Sequence, residues 1–271
     1  MKLIPAETCV DAWLKACDHL LTKTDDNWRD YNVILDISAP LQMPPNDHAV
    51  VRTLDRFLAK HGGLPFNTVV NTIFPAQLYA QHGATGIYER YMSEIYPQVK
   101  KHPDCSWGTY AQRIICRTDA AGNTIYPLRD LVSKLKTQLT LSGANRSVYE
   151  LGTLDLFSDM PVYDPALDRT RPIGGPCLSH LSFKLGPDHK LHLTAFYRSH
   201  YYVQRALGNL FGLSHLQHFV AQETQLQIGS LTCISSVAQL DLSSSVTAKW
   251  GKNAVTTLVS ECHAARQSAA A

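Results

Sequence analysis

Apolar residues recur at helical spacing in several stretches of the chain. In "ETCVDAWLKACDHLL", Val10, Trp13, Leu14, Cys17, Leu20 and Leu21 fall on one stripe. That pattern predicts an amphipathic helix carrying Cys9, with Cys17 in the core. "DHAVVRTLDRFLAKHGG" repeats it through Val50, Val51, Leu54, Phe57 and Leu58, with Gly62 and Gly63 as a stop. "TGIYERYMSEIYPQVKK" predicts a third helix. "PLRDLVSKLKTQLTLSG" predicts a fourth, opened by Pro127, buried through Leu128, Leu131, Val132, Leu135 and Leu139, and closed by Gly143.

Period-two alternation takes over later. "LSHLSFKL" sets Leu181, Phe183 and Leu185 against His180, Ser182 and Lys184. "LHLTAFYR" sets Leu191, Leu193, Ala195 and Tyr197 against His192, Thr194, Phe196 and Arg198. With "GPDHK" between them, these form a hairpin. A long helix, "YVQRALGNLFGLSHLQHFVAQETQL", and a strand, "IGSLTCISSVAQLDL", follow. "PFNTVVNTIFP", β-branched and bounded by prolines, reads as a buried strand or pocket wall in which Asn67 and Asn71 either are structural or read a ligand's amide edge. A polar, Pro-rich stretch from about Ser142 to Pro176 is long for a plain connection and marks a functional segment. The tail from about Ser245 to Ala271 is weakly helical and soft. Helices first, then mixed strands and helices, predict an α/β (α+β) fold: one mixed sheet with flanking helices.

Composition narrows the classes. The 271 residues are 45% hydrophobic, show no dividing linker, and are read as a single domain over 1–271. A net charge of +2 and a pI near 8.1 are too mild for a nucleic-acid polymer or membrane surface as partner. No run reaches the roughly 18 apolar residues of a membrane span, and "MKLIPAETCVDAW" lacks a signal-peptide core. Seven cysteines, an odd number with no CxxC pair, suggest neither disulfides nor zinc and fit a reduced cytoplasm.

Chemistry-bearing residues stand out at a few points. Cys177 follows the rigid corner "GGP" at the mouth of a strand; it is either a nucleophile or a buried core thiol. A nucleophilic thiol wants cationic neighbours to lower its pKa, and Arg146, Arg169, Arg171 and Arg198 are available. His215 and His218 are i, i+3 on a helix, yet no HExxH or Cys-His spacing accompanies them, so no metal is expected. "LGNLFG" lacks the Lys-Ser/Thr ending of a phosphate loop; Gly208 and Gly212 instead permit close packing of the helix on the sheet. "VYDPALDRTRP", with Asp164, Asp168 and Arg171, is either a salt-bridged surface turn or a loop over a site.

The order of motifs from Pro176 to Asp241 resembles the thymidylate synthase and pyrimidine hydroxymethylase superfamily. The resemblance rests on "GGPCLSHLSFKL", "FYRSHYYVQ" and "ALGNLFGLSHLQHFVAQ", which match a Pro-Cys strand, an Arg-Ser pair and a Leu-Gly-x-x-Phe helix ending in Ala221-Gln222. Upstream, "WGTYAQR" is similar to a shortened Tyr-bearing segment, and "LSGANRS" to an Arg-bearing phosphate segment. The resemblance implies a thymidylate-synthase-like fold and a one-carbon transferase, methyl or hydroxymethyl, with 5,10-methylenetetrahydrofolate as donor. It makes Cys177 the nucleophile, Tyr110 a proton-handling hydroxyl, and Arg146, Arg198 and Ser199 the anion grip. Because the family's equivalent of Arg146 reaches across a two-fold axis, it implies a homodimer acting on a small molecule.

Departures from the pattern argue against dUMP as substrate. Leu178 follows the cysteine where synthases carry His; the base-reading Asn position falls at Gly212; and the sugar-holding His-x-Tyr pair falls near Gln239 and Asp241. "NTIFPAQLYAQ" occupies the region of the catalytic Glu without a carboxylate. Two other readings stay open. One is a cysteine acyltransferase or hydrolase with His180 or His192 as base. The other is a non-catalytic relative that binds or scaffolds.

Overall fold

A computed structural model describes residues 1–101, 105, 108–118, 121–154, 176–243 and 250–269. Its strands are β1 (Lys2–Ala6), β2 (Arg29–Ile37), β3 (Arg117–Thr118), β4 (Thr124–Ile125), β5 (Tyr149–Gly152), β6 (Leu178–Leu185), β7 (Lys190–Tyr197), β8 (His200–Tyr201) and β9 (Gln227–Gln239). Its α-helices are α1 (Cys9–Leu21), α2 (Pro45–Lys60), α3 (Phe66–Ile73), α4 (Ala76–Thr85), α5 (Tyr96–Val99), α6 (Tyr110–Ile115), α7 (Pro127–Leu139), α8 (Leu207–Thr224) and α9 (Gly251–Ser268). Gly86–Ile95 and Tyr202–Ala206 are π-helical.

One mixed, seven-stranded sheet organises the molecule in the order β1-β2-β9-β7-β6-β5, with β8 extending along β9. Its registers align apolar rows across the strands. Ile4, Leu35, Cys233, Ala195, Leu181 and Leu151 are successive cross-strand partners, and all are buried. Ile37, Leu231, Leu193, Phe183 and Tyr149 form a second such row. α1 packs on β1 and β2, α8 on β7 and β9, and α7 on β5. The opposite face carries Pro5, Asp36, Thr232, Thr194, Ser182 and Glu150, and beside them Leu3, Ile34, Ile234, Phe196 and His180. Leu3 and Phe196 there are exposed. Alternation with period two therefore yields one covered and one open face, as one-sided burial requires.

The expected mixed sheet with flanking helices in a single domain is the observed architecture. Four local expectations are corrected. "PFNTVVNTIFP" is helix α3, not a strand. Phe66, Val69, Val70 and Ile73 make one helical face, and α8 comes close enough that a Cβ on Gly208 would sit 2.8 Å from Val69 and one on Gly212 2.8 Å from Ile73. The two glycines thus serve close packing, but against α3 rather than the sheet. The third helix is π-helical through most of its length. The tail is not soft over Gly251–Ser268: it is α9, docked on α2 and α1 through Val255, Leu258, Val259 and Cys262. Arg266 ties it down by ion pairs to Asp47 at 3.1 Å and Asp11 at 2.9 Å, and Asp47 is wholly buried. Trp107, Asp164, Asp168, Arg169 and Arg171 lie outside the described residues.

Candidate active site around Cys177

Cys177 stands one residue before β6, half-buried and packed against the core. Its position is set from several sides. Across the hairpin, the Arg198 amide donates to the Cys177 carbonyl at 2.9 Å, and Leu178 pairs with Tyr197. From α6, the Tyr110 hydroxyl oxygen accepts from the Cys177 amide at 3.0 Å and the Leu178 amide at 3.2 Å. Beyond β5, the Thr153 amide donates to the Ser179 carbonyl at 3.1 Å, and its hydroxyl donates to the Leu178 carbonyl. Arg113 holds the Thr153 carbonyl at 3.1 Å.

Tyr110 is itself fixed by the capping of α6. Thr109 is the N-cap, its hydroxyl accepting from the Gln112 amide at 3.0 Å. The buried Tyr91 hydroxyl, carried by the π-helical segment, pairs with Thr109 Oγ1 at 2.8 Å. The sequence signal for this frame is the Thr before "YAQR", a usual helix-opening residue; nothing in the pattern marks Tyr91 or Thr153.

The electrostatics are divided. Burial pushes the Cys177 thiol above its ordinary value, while Arg198 and Arg205 pull it down. The expected cationic neighbour is therefore present in Arg198, whose Nε donates to the Pro176 carbonyl at 3.1 Å, but burial outweighs it. Arg205, half-buried in the π turn that opens α8, is the second cation. The sequence offered one cue to it: Arg205 is the lone charge in "YYVQRALGNLFGLS". Burial, then the Cys177 sulfur, pushes Tyr110 up to about 12. Near neutral pH that hydroxyl keeps its proton, so it is a donor as well as the acceptor of the two amides.

The remaining expected residues divide by location. Ser199 lies half-buried in the bend after Arg198. Arg146 is elsewhere: its carbonyl accepts from Leu185, at the far end of β6. Seven residues of strand, about 23 Å, separate that end from Leu178. Within one chain the structure does not bring Arg146 to Cys177.

Beneath the cysteine runs a buried polar layer. Tyr197 stacks on His200 with centroids 4.0 Å apart. His200 lies between Asn209 Nδ2 at 3.0 Å and Ser235 Oγ at 3.1 Å, and Ser235 meets the Tyr202 hydroxyl at 3.2 Å. Burial pushes His200 down to about 3, so it is neutral and takes the Asn209 proton on Nε2. Asp241, fully buried, accepts from the Val203 amide at 2.8 Å; burial pushes it up to about 7 against that bond and Arg205.

The histidines of the hydrolase reading are engaged elsewhere. His180 pairs with Glu150 at 2.7 Å, and His192 with Ser230 at 2.9 Å, both on the open face of the sheet. His215 and His218 are both pushed down by burial. Among the described residues no group of three or more His, Cys, Asp or Glu could hold a metal ion. No described helix is long and apolar enough to cross a membrane.

The chain matches no protein-family model. Over 65 residues it is 38% identical to a protein from Methanosarcina barkeri (strain Fusaro / DSM 804) and 37% identical to one from Methanosarcina mazei, each named "Putative thymidylate synthase". The similar stretch is 24% of this chain, and the chain spans 30% of the length of these curated relatives. This partial similarity points to the superfamily whose motif order the sequence resembles.

Proposed function

We propose that this chain is a one-carbon transferase, moving a methyl or hydroxymethyl group, with Cys177 as covalent nucleophile. The observation that carries the reading is the meeting of Cys177, Tyr110 and Arg198 at the start of β6. A thiolate there adds to an electron-poor carbon of a ring or conjugated system and loads electron density onto the neighbouring carbon. Tyr110, protonated near neutral pH and bonded to the Cys177 amide, is the group placed to supply a proton. Arg198, with Ser199 beside it in the chain and Arg205 close by, suits a phosphate or carboxylate of a small molecule. Methylenetetrahydrofolate, the donor that the resemblance implies, would supply the one-carbon unit. The changed base and sugar positions favour an acceptor other than dUMP.

A homodimer completes the reading. The open sheet face, with its apolar row Leu3, Ile34, Ile234 and Phe196 beside the opposite charges of Lys184 and Glu150, suits a second copy of the chain. Arg146, remote from its own Cys177, then belongs to the partner's site.

The test is tritium release from ring-labelled pyrimidine nucleotides and related heterocycles, with methylenetetrahydrofolate present. Release that disappears in Cys177→Ser supports the transferase. The burial that raises the thiol favours a second reading, a non-catalytic relative of the fold. That reading wins if no compound releases tritium or binds and Cys177→Ser leaves the biological activity intact.

A further inference from the structure

The Tyr110 hydroxyl has both acceptor directions committed to the amides of Cys177 and Leu178. A second phenol stands beside it. Tyr197 is the strand partner of Leu178, is wholly buried, and meets the Tyr110 ring edge-on with centroids 6.4 Å apart. Stacking on His200 at 4.0 Å fixes its ring plane. Among the described residues its hydroxyl has no hydrogen-bond partner, while Tyr110, Cys233 and Cys177 lie within electrostatic reach. A buried hydroxyl without a partner lowers stability, and phenylalanine would fill the same space without that cost. A phenol so placed beside a half-buried thiol calls for a partner. A buried hydroxyl near other polar groups, but out of direct bonding distance, is satisfied by ordered water where the site has room for one.

We propose, building on the reading of Cys177 as nucleophile, that Tyr197 is a positioning residue whose hydroxyl holds one buried water against the Cys177 sulfur. When the thiol ionises, the S–H bond breaks and its proton leaves to solvent. The water, with one oxygen lone pair accepting the Tyr197 proton, turns an O–H toward the sulfur anion. The anion gains a hydrogen-bond donor where burial denies it bulk water. Tyr110 holds the cysteine backbone in place, and Tyr197 acts on the sulfur through the water.

The test compares the full chain with its Tyr197→Phe variant. Iodoacetamide alkylation is followed residue by residue by peptide mass spectrometry across about pH 6 to about 10, and urea unfolding is recorded for both. Cys116, the other partly exposed thiol, is the internal reference. The expected result is a Cys177 midpoint higher by about half a pH unit, hence alkylation about threefold slower near neutral pH. Cys116 stays unchanged, and both chains unfold in one cooperative urea transition, so the shift is not a loss of fold. An identical Cys177 profile, or an equal shift at Cys116, overturns the water bridge and leaves the nucleophile reading standing. If Cys177 of the unmodified chain resists alkylation at every pH while Cys116 reacts, both fall.

Discussion

Tyr110→Phe removes one oxygen and keeps the ring. That oxygen accepts from two amides, at 3.0 and 3.2 Å, and the Leu178 amide belongs to a residue with no exposed surface. Leaving a buried donor unsatisfied costs about 1–3 kcal/mol. The Cys177 amide, in a half-buried residue, recovers part of its loss from water, so the total comes to about 2–4 kcal/mol. For a chain of this size that corresponds to a fall of roughly 4–16 °C in melting temperature. Urea unfolding followed by tryptophan fluorescence and circular dichroism reads the change. Tyr197→Phe is the matched control, because its hydroxyl accepts from no described backbone amide and its loss strands none. Equal midpoints for the Tyr110→Phe variant and the unmodified chain would refute the claim that Tyr110 anchors the start of β6.

Gly212→Ala puts a Cβ 2.8 Å from both Ile73 Cβ and the Val70 carbonyl oxygen, and is expected to lower stability by about 1–3 kcal/mol in urea melts. Arg266→Ala leaves the buried Asp47 with the Thr8 hydroxyl but no cation, and should lose about 1–3 kcal/mol and expose α9 to limited proteolysis. Asp241 has its folded pKa raised from 3.8 to about 7, so the folded chain binds the extra proton between those values. Its contribution to stability is full below about pH 4 and is lost as pH rises through about 7. Asp241→Asn should therefore gain relative to the unmodified chain as pH rises over that interval, read as a difference between urea midpoints.

The parts of the fold legible in the sequence were those with one-sided burial. The stripe of Val10, Trp13, Leu14 and Cys17, and the alternation through Leu181, Phe183 and Leu185, announce α1 and β6 because each element hides one face. "NTVVNTI" misled for the opposite reason. Its β-branched residues favour strand locally, but two glycines over a hundred residues away let α8 approach and bury them as a helix. β1 and β2 went unread because "KLIPA" is short and "RDYNVILDI" mixes charges into its run; each gains its place from pairing with a distant strand. At the site, Cys177, Tyr110 and Arg198 are legible as motif residues. Thr153, Tyr91 and Tyr197 are not, since their contribution is tertiary hydrogen bonding or burial.

As the nucleophile, Cys177 forms a covalent bond to its acceptor. Intact-mass spectrometry, with peptide mapping, of the chain incubated with methylenetetrahydrofolate and a panel of pyrimidine nucleotides and related heterocycles tests it most directly. The expected result is an adduct that maps to Cys177 and is absent from Cys177→Ser. An adduct confined to another cysteine, or turnover that persists in Cys177→Ser, would contradict it.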